Sequence, residues 1–111
     1  MSRIAVIGGG YVGLVTAASF AKLDHRVVCV EVEPSRLQSL VLGQLPIYEP
    51  GLEELVNWAL DTGRLTFTGS YEEAIPNADC VFVCVNTPPL EDGSADVHNV
   101  FSAVTCVVEQ A

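Results

Sequence analysis

Apolar residues along this chain fall into two alternating rhythms. Short continuous runs, suited to strands buried on both faces of a parallel sheet, cover Arg3 to Ile7, Arg26 to Val32, Arg64 to Thr68 and Asp79 to Val85. Between these runs the apolar positions recur at helical spacing. A helix is predicted from just after Gly10 to about Leu23, apolar nearly all round, with Ala17, Ala18 and Ala21 small enough for close packing. A shorter one covers Pro34 to Leu42, with Leu37, Leu40 and Val41 on one face and Gly43 as its stop. The connector from Leu45 to Leu52 (Leu-Pro-Ile-Tyr-Glu-Pro-Gly-Leu) then leads into a helix whose stripe is Leu52, Leu55, Val56, Ala59 and Leu60, ended by Gly63. Trp58 falls beside that stripe and reads as packing. Ser70 and Glu73 fit a capping box for a helix of one or two turns that stops at Pro76. A last helix is expected from an N-cap at Asp96, with Val97, Val100, Phe101, Val104, Val107 and Val108 on its apolar face.

Strands alternating with helical crossovers predict an α/β domain with a parallel sheet. The first crossover carries candidate chemistry. Ile4-Ala5-Val6-Ile7 runs directly into Gly8-Gly9-Gly10-Tyr11-Val12-Gly13, so that Gly8, Gly10 and Gly13 hold the G-x-G-x-x-G spacing between a strand and a helix. Gly8 permits the tight turn, Gly10 lets a pyrophosphate approach the backbone, and Gly13 lets the helix lie close to the sheet. The free N–H groups and positive dipole of the helix start then face the phosphates. This is the dinucleotide-binding pattern of a Rossmann-type doubly wound sheet, with expected strand order 3-2-1-4. Nothing in the sequence ends the last helix before Ala111, and a crossover helix normally feeds another parallel strand. Residues 1–111 are therefore expected to form the first half of such a domain, truncated after the helix that follows strand 4.

Glu31 closes the second strand, about 20 residues beyond the glycines, where this fold places the carboxylate that takes the adenosine ribose hydroxyls. Its charge repels a 2′-phosphate and so favours NAD over NADP; the plainer alternative is a solvated acid at a strand end. Arg36, on the next helical turn, can stack on adenine, pair with Glu31 or draw the preference toward NADP. The fourth strand ends in Asn86-Thr87-Pro88-Pro89 at the same carboxyl edge. There Thr87 either offers its hydroxyl or N–H to the cofactor or belongs to a proline-stiffened turn. His25 lies at the wrong strand end for an open α/β site and reads as a turn residue.

Composition narrows the partners. The formal net charge of −9 argues against nucleic acid and anionic membrane surfaces. Ile4 to Ala21 is free of charge, yet its glycines weaken a membrane helix and only Arg3 precedes it, so the chain reads as soluble and cytoplasmic. Half of its 111 residues are hydrophobic and the mean hydropathy is +0.38, which is high for a free-standing domain and fits a piece of something larger. Cys80 and Cys84 share one strand and stand roughly 13 Å apart at about 3.3 Å per residue, too far to bridge. Neither lies at metal-ligand spacing, so the four cysteines read as buried reduced thiols and no metal site is expected.

With the glycine loop, Glu31, the Tyr48-Glu49-Pro50-Gly51-Leu52 connector, Asn86-Thr87-Pro88 and Ser94-Ala95-Asp96-Val97 in hand, the chain resembles the UDP-glucose/GDP-mannose dehydrogenase family over essentially its whole length. The resemblance is to that family's N-terminal NAD-binding domain. It implies NAD contacts from the loop backbone at Tyr11 and Val12, a ribose carboxylate at Glu31, a basic neighbour at Arg36, and Thr87. Two positions depart from the family pattern: Glu31 stands where Asp is usual, and Asp24 where Gly is usual. Enzymes of the family oxidise the C6 alcohol of a nucleotide sugar to a carboxylate in two NAD-dependent steps through a cysteine thiohemiacetal. None of Cys29, Cys80, Cys84 or Cys106 sits in the context of that cysteine, so no catalytic residue is assigned and the fragment is expected to bind cofactor without turnover. The nucleotide sugar would be a partner of the full-length parent only. A regulatory nucleotide-sensing Rossmann module and an S-adenosylmethionine methyltransferase are the competing readings, and neither accounts for the connector or the Asn86-Thr87-Pro88 turn. An exposed apolar fourth strand also predicts self-association through that edge, or a homo-oligomer.

Overall fold

In a computed structural model that describes residues 1–45, 48–85, 103–105 and 107–109, the four apolar runs pair as one parallel sheet in the order β3-β2-β1-β4. The strands are β1 (Arg3–Ile7), β2 (Arg26–Val30), β3 (Leu65–Thr68) and β4 (Cys80–Val83). Val6 lies opposite Cys29 on one side and Phe82 on the other, and Cys29 lies in turn opposite Phe67. The expected order is thus observed; β1 matches its apolar run and the other three strands are shorter than theirs. Glu31 still donates its N–H to the Thr68 carbonyl (2.9 Å) and Cys84 to that of Ile7 (2.7 Å), so pairing carries slightly past the strand ends.

Helices α1 (Tyr11–Lys22), α2 (Pro34–Val41), α3 (Leu52–Asp61) and α4 (Tyr71–Ala74) make the connections. Helices α1 and α3 cover one face, where Leu14, Ala17, Ala18, Ala21, Val56 and Ala59 pack on Ile4, Val6, Val27, Cys29 and Leu65. The opposite face buries Ala5, Ile7 and Val30 against Ala74, Ile75 and Ala103. Residues 103–105 and 107–109 are helical. The side turned to the sheet carries Ala103 and Val107, whereas Val104 and Val108 are exposed, so the expected apolar face is rotated. Asp96, Val97, Val100 and Phe101 lie outside the described residues, as do Ser94 and Ala95. Val41, expected on the buried face of α2, is also exposed; Leu40 alone fills that place.

Three helices end alike. The N–H of the second residue past each C-cap reaches back to a carbonyl in the last turn, His25 to Phe20, Gln44 to Ser39 and Arg64 to Ala59, at 2.9–3.1 Å. This ending needs a left-handed residue just after the cap. Gly43 (φ 77°) and Gly63 (φ 76°) supply two of them, and Asp24 (φ 72°) supplies the third. The departure at Asp24 therefore keeps the turn geometry, since a short polar side chain tolerates this region, and its carboxylate pairs with Arg64 at 2.9 Å. The same Arg64 guanidinium lies over the Trp58 ring, 5.1 Å from its centroid, so the indole packs under a cation at the surface. His25 is a turn residue whose Nδ1 accepts the Ser2 N–H at 3.0 Å.

The capping box expected at α4 does not form. Ser70 makes no side-chain cap hydrogen bond. Glu73 instead accepts the Thr68 hydroxyl at 2.8 Å, and that hydroxyl accepts the Ser70 N–H at 3.1 Å. The threonine at the end of β3 reaches the acid first. Among the described residues no helix is long and apolar enough to cross a membrane.

Candidate functional site

Parallel strands deliver their carboxyl ends to one rim, and β1, β2 and β4 bring the glycine loop, Glu31 and Cys84 together there. The four glycines of the loop are required for different reasons. Gly8 adopts φ 111°, and a Cβ on it would stand 2.6 Å from the Cys84 carbonyl oxygen; its N–H meanwhile donates to the Val30 carbonyl at 2.8 Å. Gly13 is buried in the first turn of α1, and a Cβ there would run into the Gly8 carbonyl oxygen. Both therefore hold the helix hard against the turn. Gly9, which the G-x-G-x-x-G spacing leaves unassigned, packs inward: an added Cβ would meet Leu40 Cδ1 at 2.8 Å and Glu31 Oε1 at 3.0 Å.

Gly10 is different. Among the described residues an added Cβ would find no atom within 4 Å, and its backbone (φ −81°, ψ −169°) suits any L residue. The described part of the fold places no demand for glycine at this position. Gly10 is the N-cap of α1, without a side-chain cap, and the first turn of the helix holds no acid. The other helices bring their own negative groups: Glu33 caps α2, Glu53 and Glu54 lie in the first turn of α3, and Glu72 and Glu73 in that of α4. The positive end of α1 is thus left for an anion from outside. Tyr11 and Val12 present exposed side chains beside it.

Glu31 is the buried charged residue of the described core, only 5% exposed, on the same rim as the loop. Its Oε1 accepts the Gly9 N–H at 3.3 Å and Arg36 Nη1 at 3.0 Å, and its Oε2 accepts the Glu33 N–H at 3.0 Å. A carboxylate offers about four lone-pair sites, so one carries no donor from the described residues, and a second would be freed were Arg36 to turn outward. Arg36 is half exposed and can do so. Of the alternatives left open by the sequence, the structure shows Arg36 paired with Glu31. Thr87, with Asn86 and Pro88, lies outside the described residues.

Two participants escape the spacing rules. Gly9 anchors the buried carboxylate, and Glu33 caps α2, its Oε2 accepting the Arg36 N–H at 2.6 Å while both its oxygens take the Ser35 hydroxyl at 2.8 and 3.0 Å. Those donors hold the Glu33 carboxyl below the usual range, the Arg36 N–H most strongly. The signal for Glu33 was present: it directly precedes Pro34, a residue favoured at the first helical position. Beneath the loop, the Cys29 thiol donates to the Gly8 carbonyl at 3.5 Å. Burial, with Glu31 and Cys84 adding to it, pushes that thiol up to about 12, so it holds its proton and is no nucleophile. The remaining described cysteines do not share this burial: Cys84 is half-buried and Cys80 is exposed.

A rim of this kind, with a glycine backbone open to an anion and a carboxylate one strand over, suits a dinucleotide. Known proteins share this chain's sequence pattern and fold. Residues 2–111 match the UDP-glucose/GDP-mannose dehydrogenase family, NAD binding domain. The chain is 52% identical over 100 residues to the UDP-glucose 6-dehydrogenase of Pseudomonas aeruginosa, covering 90% of this chain and 22% of that protein. It superposes on a UDP-glucose dehydrogenase from Pyrobaculum islandicum with a TM-score of 0.90 at 50% identity, covering 96% of this chain and 25% of the other. The TM-score is 0.92 at 33% identity for the GDP-mannose dehydrogenase of Pseudomonas aeruginosa, solved as a ternary complex, over 97% of this chain and 25% of that one. The chain thus spans about a quarter of the length of the relatives it matches. It belongs to the UDP-glucose/GDP-mannose dehydrogenase family, in the NAD-binding domain of that family.

Proposed function

We propose that residues 1–111 bind NAD with the pyrophosphate against Gly10 and the N–H groups of Tyr11, Val12 and Gly13, and with the adenosine ribose at Glu31. The observation that carries this reading is the open space over Gly10: among the described residues no atom stands where its side chain would be, which supports a ligand as the reason for the glycine. Gly8 and Gly13 shape the turn from behind. Arg36 flanks the adenosine, and the sequence pattern adds Thr87 as a further contact. When bound, NAD supplies a hydride acceptor; the residues of this chain bind and orient it and take no further part.

The chain is the N-terminal, cofactor-holding portion of an oxidoreductase that converts the C6 alcohol of UDP-glucose or a related nucleotide sugar to a carboxylate. By itself it gives no turnover. The buried, protonated Cys29 supports that reading, because the thiol that bonds the loop carbonyl of Gly8 is unsuited to attack. Sugar recognition belongs to the larger protein. The free thiols of Cys29, Cys80 and Cys84 suit a reducing, cytoplasmic setting, and the net charge of −9 disfavours nucleic acid and anionic membranes as partners. Self-association runs through β4, which among the described residues has a strand on one side only. Calorimetric titration with NAD, NADP and S-adenosylmethionine tests the reading: NAD is expected to bind most tightly. Preference for S-adenosylmethionine, or no binding of any of the three, overturns it.

A further inference from the structure

We infer that discrimination against a 2′-phosphorylated dinucleotide rests on Glu33, whose carboxylate occupies the place at the start of α2 that such a phosphate would take and keeps its anchors engaged. This rests on the NAD reading above and adds the residue that selects between cofactors. A phosphate monoester is held by helix-start N–H groups, hydroxyls and guanidinium groups. The start of α2 holds one of each: the Arg36 N–H, the Ser35 hydroxyl and the Arg36 guanidinium. All three already serve carboxylates of the protein. Glu33 takes the Arg36 N–H (2.6 Å) and the Ser35 hydroxyl (2.8 and 3.0 Å), and Glu31 takes Arg36 Nη1 (3.0 Å).

The ribose carboxylate and the capping carboxylate belong to one turn, because Glu31 Oε2 accepts the Glu33 N–H at 3.0 Å. A 2′-phosphate carried by a ribose at Glu31 meets that turn directly. Glu31 is buried and its charge is compensated by three donors, whereas Glu33 is exposed and lies at the surface where the phosphate would arrive. Two carboxylates against one guanidinium leave the pocket negative and repel a dianion. The residue type agrees: helix starts favour the shorter Ser, Thr, Asp and Asn, so capping alone does not account for a glutamate. Removing Glu33 therefore frees Arg36 and Ser35 for a phosphate while leaving the Glu31–Gly9 contact in place.

The test is calorimetric titration of NAD and NADP into the chain, its Glu33→Ser variant and the Glu33→Ser/Arg36→Gln double variant, at one ionic strength. Serine is itself a favoured cap, and Glu33→Gln supplies the same readout should α2 loosen by circular dichroism. The expected result is an NAD affinity within twofold of the parent and an NADP affinity raised roughly tenfold. That gain is expected to vanish in the double variant. NAD binding retained with NADP unmoved overturns this inference alone, as does an equal gain for both cofactors or a gain that survives loss of Arg36. Absence of NAD binding in the parent chain overturns the cofactor site and this inference with it.

Discussion

Substituting the loop glycines one at a time by alanine separates those the fold needs from the one a ligand needs. At Gly13 the new methyl group runs into the Gly8 carbonyl. Helix α1 must then lift off the turn, and overpacking of this kind costs about 1–3 kcal/mol or more. At Gly8 the methyl sits 2.6 Å from the Cys84 carbonyl in a backbone held at φ 111°, so a strain cost of about 1–3 kcal/mol is added to the steric one. At Gly10 no described atom lies within 4 Å of the new methyl group and the backbone is ordinary. The capping change of up to about 1 kcal/mol is offset by about 0.4–1 kcal/mol from the stiffer unfolded chain. For a domain of this size 1 kcal/mol moves Tm by about 4–8 °C. Gly10→Ala is therefore expected to melt within a few degrees of the parent, whereas Gly8→Ala and Gly13→Ala melt about 10 °C lower or fail to fold. NAD affinity is expected to follow the opposite order among folded variants. A methyl group between the backbone and the pyrophosphate costs on the order of 2 kcal/mol, roughly a thirtyfold loss in Kd for Gly10→Ala. Scanning calorimetry gives the first quantity and isothermal titration the second. A Gly10→Ala chain that binds NAD as the parent does would refute the ligand explanation for this glycine. One as unstable as Gly13→Ala would refute the packing argument.

Four further outcomes follow from the same geometry. Alkylation at pH 8 is expected to modify exposed Cys80 first and Cys29 only on unfolding, read by peptide mass spectrometry; prompt labelling of Cys29 in the folded chain would count against its burial. Because that thiol titrates near 9.0 when free and near 12 in the fold, the folded chain holds a proton that the unfolded chain releases, so stability is full below pH 9 and is lost as pH rises between those values. Urea melts across that range measure the loss, and a melt midpoint independent of pH there would contradict it. Glu31→Gln puts a donor where three donors converge, and is expected to cost about 1–3 kcal/mol in urea denaturation and to weaken NAD about tenfold; unchanged values in both would remove Glu31 from the site. Phe82, 39% exposed on β4 and 5.0 Å from the Phe20 ring, is expected to mediate self-association that Phe82→Lys reverses in light scattering, and a chain that stays monomeric at high concentration would remove β4 as the contact.

Most of the architecture was legible because it depends on local signals that the folded state leaves alone. Apolar runs that end in glycine or acid, joined by right-handed crossovers, allow few sheet orders, and β3-β2-β1-β4 is the one observed. The places where reading along the chain falls short are those decided by atoms far away in sequence. Ser70 and Glu73 have the spacing of a capping box, but the Thr68 hydroxyl lies closer and takes the acid. Val104 and Val108 fit a helical stripe as well as Ala103 does, and only the position of the sheet chooses between them. At the loop, spacing alone groups Gly8, Gly10 and Gly13 as equals and passes over Gly9. Contacts from β4, α2 and β2 reorder them: Gly8 and Gly13 serve the turn, Gly9 serves Glu31 and Leu40, and Gly10 meets no described atom where a side chain would be.

That reordering bears on how the site works. The Gly9 N–H and the Arg36 guanidinium share one oxygen of Glu31, so the buried carboxylate ties the phosphate loop to the first turn of α2. In the proposed site, a ribose hydroxyl that takes the place of Arg36 on that oxygen shares it with the Gly9 N–H. Glu31 then links the ribose directly to the loop proposed to hold the pyrophosphate. The glutamate side chain, buried at the end of β2, reaches the Gly9 N–H at 3.3 Å. Adenosine and pyrophosphate recognition are on this account one coupled event, carried by a residue whose sequence position announces only half of its role.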